Sequence, residues 1–375
     1  MSNLFKNYIY PIATLLGSII GVGFLSLPYI TLKVGIWPML FYFVALTALV
    51  VYIHVIFGKI SLKTPDFKRF PGFVGFYLGR WAEAVTLISI IFGSFGLFLI
   101  YFIVGGQFLT TILHPFLGSS ASLFVVLYFV VASMLVYSGV KIISKIEFWA
   151  LVLLLVTFFV IYIGAFSHIK LENIFVSNNS FFSDIKTMFL PYGAIIFSLW
   201  GIGLIPEIEE MLIGRKSLLK RIIIISILVS AATYFLFIFL ILGISGIHTT
   251  ESAFLGLEKF LGQGVFSLVI LIGLITIFNS FITQGLFLKK TFMYDMNMKE
   301  FPAWALTCLV PPIFFLLGIN SFISLISLIG GLILGVNGIL ILLMYRKIGG
   351  KKLIVYPLMV VFFLGIIYSI MYSMK

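Results

Sequence analysis

The chain has 375 residues, of which 62% are hydrophobic and 10% charged, against about 25% charged in a soluble domain. That composition, with a mean hydropathy of +1.24, excludes a soluble enzyme or binding module and describes a polytopic membrane protein. The formal charge of +12 comes from 24 Lys and Arg against 12 Asp and Glu, but these bases sit in short segments between apolar runs and form no patch interleaved with aromatics, so no nucleic-acid partner is expected. A single cysteine, Cys308, lies in an apolar run, which leaves no disulfide within the chain and no Cys/His metal spacing.

The apolar pattern predicts eleven membrane spans, near 8–32, 34–58, 81–107, 121–140, 146–166, 187–213, 219–244, 264–288, 303–319, 321–344 and 353–373. The first is not read as a cleavable signal: it is long, carries Pro11 and Pro28, and lacks a small-residue cleavage site. With the N-terminus inside, every Lys and Arg except Lys33, Lys170, Lys186, Lys259 and Lys375 falls on the inner side, 19 of the 24, as the positive-inside rule requires. Adding or dropping one span would scramble that asymmetry.

The first span contains Gly17-Ser-Ile-Ile-Gly-Val-Gly-Phe-Leu-Ser-Leu-Pro28. Each glycine costs a helix roughly 1 kcal/mol relative to alanine, so Gly17, Gly21 and Gly23 mark where the helix can open. Backbone groups freed inside a bilayer must be met by protein, water or ligand, so such a break lines a cavity or site. After the second span, the basic segment Lys59 to Arg80, with Pro65 and Pro71, is expected to lie along the inner surface. Ser167 to Lys186 reads as a polar outer loop.

The sixth span answers the first. It reads Phe197-Ser-Leu-Trp-Gly-Ile-Gly-Leu-Ile-Pro206-Glu, with Gly201, Gly203 and Pro206 interrupting its middle. Two interrupted spans, one opening each half, point to an inverted repeat with its site at the bilayer midplane. Free amides at Gly21, Val22 and Gly23 could hold a carboxylate, and carbonyls near Leu16 to Ile20 and Phe197 to Trp200 an ammonium, a pair of polarities that fits an α-amino acid. The competing reading is that these glycines only let helices pack closely. Ser18, Ile20, Ser198, Trp200, Gly201 and Gly203 complete the expected substrate site, with Trp200 either a wall of the site or packing.

Glu207 follows Pro206 within the span and is read as a proton carrier or gate, because an ionisable group in a span is costly and functional by default. Glu209 and Glu210 approach Arg215-Lys216 and are expected to be solvated or paired, and Glu83 and Glu147 stand at span entrances suited to salt bridges. Thr249 to Gly262 opens as a short outer helix. In the eighth span Thr276, Asn279 and Ser280, with Thr283 and Gln284, either join Ile20 in a sodium site or bond neighbouring helices.

With these residues in view, the chain resembles the amino acid/auxin permease group and the bacterial aromatic amino acid permeases. Their first span follows G-[ST]-x-[IV]-G-x-G-x-L-x-x-P, matched here by Gly17, Ser18, Ile20, Gly21, Gly23, Leu25 and Pro28, and Ile205-Pro206-Glu207 is similar to their Pro-Glu stretch. The resemblance implies a leucine-transporter-like fold: a single transmembrane domain over 1–375, with inverted repeats at about 8–166 and 187–344 and an extra helix at about 353–373. It implies an amino acid bound by the first and sixth spans and transport driven by protons or sodium, protons being favoured. One departure is that some proton-coupled relatives carry a lysine in mid-fifth span, whereas here Lys145 lies at its entrance.

The reading is therefore an all-α permease of the cell membrane, N-terminus cytoplasmic, importing a neutral, aromatic or large apolar amino acid in symport with a cation, with no cofactor and with the lipid bilayer and the amino acid as partners. The alternatives are a transporter of the same fold for an amine or nucleobase, and an integral-membrane enzyme. The enzyme lacks any His-Glu-x-x-His run or intramembrane aspartate pair, and His54, His114, His168 and His248 are scattered.

Overall fold

The computed structural model describes residues 5–66, 68–118, 120–139, 143–177 and 185–373; Lys141, Lys375 and residues 178–184 of the expected outer loop lie outside the described residues, as do the side chains of Lys145, Glu147 and Lys186. Among the described residues the regular structure is helical. The helices are α1 Tyr10–Ile19, α2 Leu27–Val34, α3 Ile36–Lys63, α4 Phe70–Leu78, α5 Arg80–Leu117, α6 Ala121–Ser138, α7 Ile143–Gly164 and α8 Leu171–Ile174. There follow α9 Ile185–Leu199, α10 Ile205–Met211, α11 Leu219–Ser245, α12 Gln263–Lys290, α13 Glu300–Leu316, α14 Phe322–Leu328, α15 Leu334–Lys347 and α16 Lys352–Ser373. Among the described residues seven helical segments are long and apolar enough to cross a membrane, and the bent pair Asn7–Ile19 and Val22–Val34 makes an eighth. The three shorter apolar helices Ser122–Ser138, Val152–Gly164 and Glu300–Leu316 stand where the fourth, fifth and ninth spans were expected.

Each broken span restarts on proline. Pro28 and Pro206 sit in the first turn of α2 and α10, where a missing N–H costs nothing and the fixed φ suits the helix. The interruptions themselves lie upstream: Ile20 and Gly21 leave helical geometry in the first span, Gly21 being extended with φ −109° and ψ −160°. In the sixth span Trp200 and Gly201 do so. Pro206 therefore starts the lower helix and does not break the upper one. The two breaks also differ in shape: the first bends its span by 52°, while Thr187–Met211 counts as one continuous crossing.

Contacts divide the chain into two units, each drawing on both halves of the sequence. Unit 1 comprises Met1–Ile90, Ser177–Leu236 and Ile326–Lys375; unit 2 comprises Ile91–Val176 and Phe237–Leu325. In unit 1, α9 packs against α2, α3 and the π-helical turn Ile329–Ile333, where Gly193 and Gly330 bring their backbones together and an added Cβ would collide. That turn joins α14 to α15 within one continuous span, Phe322–Lys347. In unit 2, α12 packs on α7 and α6, with Phe98 and Phe281 edge to face at 4.7 Å.

Charged groups at helix ends complete each unit. In unit 2, Lys289 is buried at the end of α12, where its Nζ donates to the carbonyls of Val136 (3.2 Å) and Tyr137 (3.0 Å), which close α6, and to Glu300 Oε1 at 2.9 Å. Cations are favoured at a helix C-terminus, so Lys289 belongs to the packing and not to a loop. The segment 59–80 holds α4. Glu83 opens α5 beside Gly75 and forms no salt bridge among the described residues, contrary to expectation; the first turn of a helix already favours its charge. The expected helix at 249–262 is reduced to the single 3-10 turn Phe254–Leu257, held by the Thr250 hydroxyl, which accepts from the Gly256 amide at 3.0 Å.

Candidate functional site

Both breaks lie in unit 1, and they touch. A methyl group built on Gly23 would stand 2.6 Å from Phe197 Cδ1 and 2.8 Å from Ser198 Oγ, and one on Gly201 would stand 2.6 Å from Ile19 Cγ1. At these two positions glycine is required for close approach, as the packing reading held. Gly21 and Gly203 differ: a Cβ on either meets nothing within 4 Å, so the extended backbone at Gly21 opens onto free space.

The polar groups around that space are unevenly satisfied. The Gly21 amide donates to Ile19 O at 2.9 Å and the Ile20 amide to Leu16 O at 2.8 Å, which closes α1. Val22 and Gly23 open the following 3-10 turn, where a helix leaves its first amides without an internal acceptor. The amides that the break leaves without a helical acceptor are thus those of Val22 and Gly23 and not that of Gly21, whose N–H turns back on its own helix. Ser198 is buried and its hydroxyl has no partner among the described residues. A buried orphan hydroxyl costs about 1–3 kcal/mol unless a ligand or water meets it. Ser18 is exposed and Ile20 partly buried at the end of α1.

Two side chains not singled out in the sequence hold the breaks. The Tyr234 hydroxyl, on α11, lies 2.9 Å from Ile19 O and 2.9 Å from Ser198 O, carbonyls in the last turns of α1 and α9, while its ring stacks on Phe24 at 5.8 Å. Tyr234 thereby occupies two of the carbonyls expected to receive an ammonium. His54, on α3, is fully buried; its Nδ1 lies 2.8 Å from Val50 O, and its Nε2 accepts the Gly201 amide at 2.9 Å. A carbonyl can only accept and an amide N–H only donate, so the imidazole is neutral with its proton on Nδ1. Trp200 stands edge-on to that ring at 5.4 Å and is partly exposed.

The remaining expected residues separate. Glu207 is exposed in the first turn of α10, in the field of Arg69 and Glu210. Glu209 is buried instead: its Oε1 accepts from Lys216 Nζ at 2.6 Å and its Oε2 from the Ser61 hydroxyl, so the pairing expected near Arg215-Lys216 is present. Thr276, Asn279 and Ser280 belong to unit 2. There Thr276 and Ser280 bond carbonyls of their own helix, Ile272 O at 2.9 Å and Thr276 O at 3.0 Å, and Gln284 reaches Ser94 at 2.9 Å.

Residues 7–335 match the family model described as "Transmembrane amino acid transporter protein". The chain belongs to that family. It is accordingly a multi-pass membrane transporter and not an enzyme. No curated protein sequence matches it. Among solved structures this transporter is similar to MhsT in complex with L-phenylalanine, at TM-score 0.64 and 12% identity over 99% of this chain and 98% of that one. It is also similar to Mhp1, a nucleobase-cation-symport-1 family transporter bound to bromovinylhydantoin, at 0.64 and 14% over 97% and 89%. The manganese transporter of Eremococcus coleocola, in complex with an aromatic bis-isothiourea compound, follows at 0.62 and 14% over 98% and 85%. These likenesses establish the leucine-transporter-like fold.

Proposed function

We propose that this family member is a secondary active symporter that imports a neutral amino acid across the cell membrane. The observation that carries the reading is the pairing, at the contact of the two breaks, of the unpartnered Ser198 hydroxyl with the open space at Gly21 and the leading amides of Val22 and Gly23. Amides at the head of a helical turn favour a carboxylate, and Ser198 supplies a further donor. The amino acid's ammonium then meets the carbonyls at this break that Tyr234 leaves open, such as Ile20 O. Trp200 forms a wall, and its partial exposure beside the break supports an aromatic or large apolar side chain. MhsT was solved with L-phenylalanine, which is in keeping with that size.

The co-transported ion is a proton, with Glu207 as its carrier or gate; sodium is the alternative that the coupling experiment decides. Alternating access then follows if substrate and ion bind the outward-open and inward-open states unequally. The test is equilibrium binding of labelled amino acids to purified protein, wild type against Gly21→Leu. Because a Cβ at Gly21 has nothing within 4 Å, the variant should elute and melt as wild type does while losing binding. Unchanged affinity would remove the site. Amines lacking a carboxylate should not compete, and competition by them would favour the amine or nucleobase reading.

A further inference from the structure

The outer faces of α3 and α11 enclose a feature that transport of an amino acid does not use. The two helices touch at one end, where a Cβ on Gly58 would stand 3.0 Å from Ile223 Cδ1, and at the other, where the Phe43 and Phe235 rings lie 6.0 Å apart. Between these contacts they part around a groove of about 720 Å³, walled by Val51, Val55, Ile224, Leu228 and the small side chains Ala48 and Ala232. From Phe43 to Lys59 the helix rises about 24 Å, more than one leaflet of a core about 30 Å thick, so the groove can take an extended acyl chain along its length.

One end of the groove is cationic. Lys59 and Lys220 both line it, both are exposed, and neither forms an ion pair among the described residues; no acidic residue lines the groove. Lys220 and Arg221 moreover stand in the first turn of α11, which carries no acid, although that position favours negative charge. Two lysines beside a helix start at the mouth of an apolar channel call for an anion joined to a hydrocarbon chain. We infer that the groove between α3 and α11 is a binding site for an anionic phospholipid, its phosphate held by Lys59 and Lys220 and one acyl chain lying between the helices.

The inference stands apart from the transported substrate and is read by binding alone. Detergent-purified protein would be titrated with dioleoyl phosphatidylglycerol or phosphatidylcholine and examined by native mass spectrometry, as wild type, as Lys59→Gln/Lys220→Gln, and as Ala232→Phe. Wild type should retain phosphatidylglycerol in preference to phosphatidylcholine. Loss of both lysines should weaken that retention about 30-fold, from the contribution of two bases near the membrane surface. Filling the groove at Ala232 should lower retention with the lysines in place. Equal retention of the two lipids by wild type, phosphatidylglycerol held as tightly by the double variant, or a protein dimer that Ala232→Phe dissociates would overturn the assignment.

Discussion

Tyr234 offers one phenolic proton to two carbonyls from different broken helices, and that economy makes it the residue on which the site's shape depends. Tyr234→Phe keeps the ring on Phe24 but leaves Ser198 O without its phenol donor and Ile19 O with the Gly21 amide alone. The expected loss is about 1 kcal/mol, between the roughly 0.6 kcal/mol common for bonds between membrane helices and the 1–3 kcal/mol of orphaned buried groups. A thermal melt of the detergent-solubilised variant should shift down by a few degrees, and amino acid affinity should fall with it; a melt and affinity equal to wild type would deny the phenol this role. Glu207→Gln should weaken ion coupling more than substrate exchange, measured as the pH dependence of uptake against counterflow, and a wild-type pH response would take Glu207 out of the mechanism. The glycines and Pro28 of this site were legible because their effect is local to the chain. His54 and Tyr234 were not: their partners are backbone atoms 147 and 215 positions away, and no residue pattern marks a backbone acceptor.

At the scale of elements, the number and order of spans followed from apolar runs and loop bases, since both are set by the bilayer's thickness and electrostatics. What hydropathy could not convey was internal shape. The tenth span reads as a plain apolar run, yet Ile329–Ile333 winds as a π-helical turn so that Gly330 can meet Gly193. Gly330→Val should therefore prevent a stable fold, visible as aggregation on size exclusion, whereas Gly203→Ala, with open space around its Cβ, should not; a monodisperse Gly330→Val protein would contradict the packing described. Lys289 was equally misleading, since a terminal lysine in the sequence looks like a loop charge. Replacing it by Met would leave the Val136 and Tyr137 carbonyls and Glu300 without their cation, and a loss of about 2 kcal/mol in denaturant unfolding is expected. An unchanged midpoint would return Lys289 to the surface.

For the whole molecule, two short glycine-broken segments far apart in sequence come together in one unit, bringing amides, a hydroxyl and open space to the same place. That convergence, within a family of amino acid transporters, is what joins the fold to the proposed activity. The central claim is accumulation of an amino acid against its own gradient. The measurement is uptake of a labelled amino acid panel into proteoliposomes, under an inward proton gradient and separately an inward sodium gradient. Accumulation of a neutral amino acid above equilibrium under the proton gradient, abolished when that gradient is collapsed, is the predicted result; folded, correctly inserted protein that concentrates no amino acid under either gradient would contradict it.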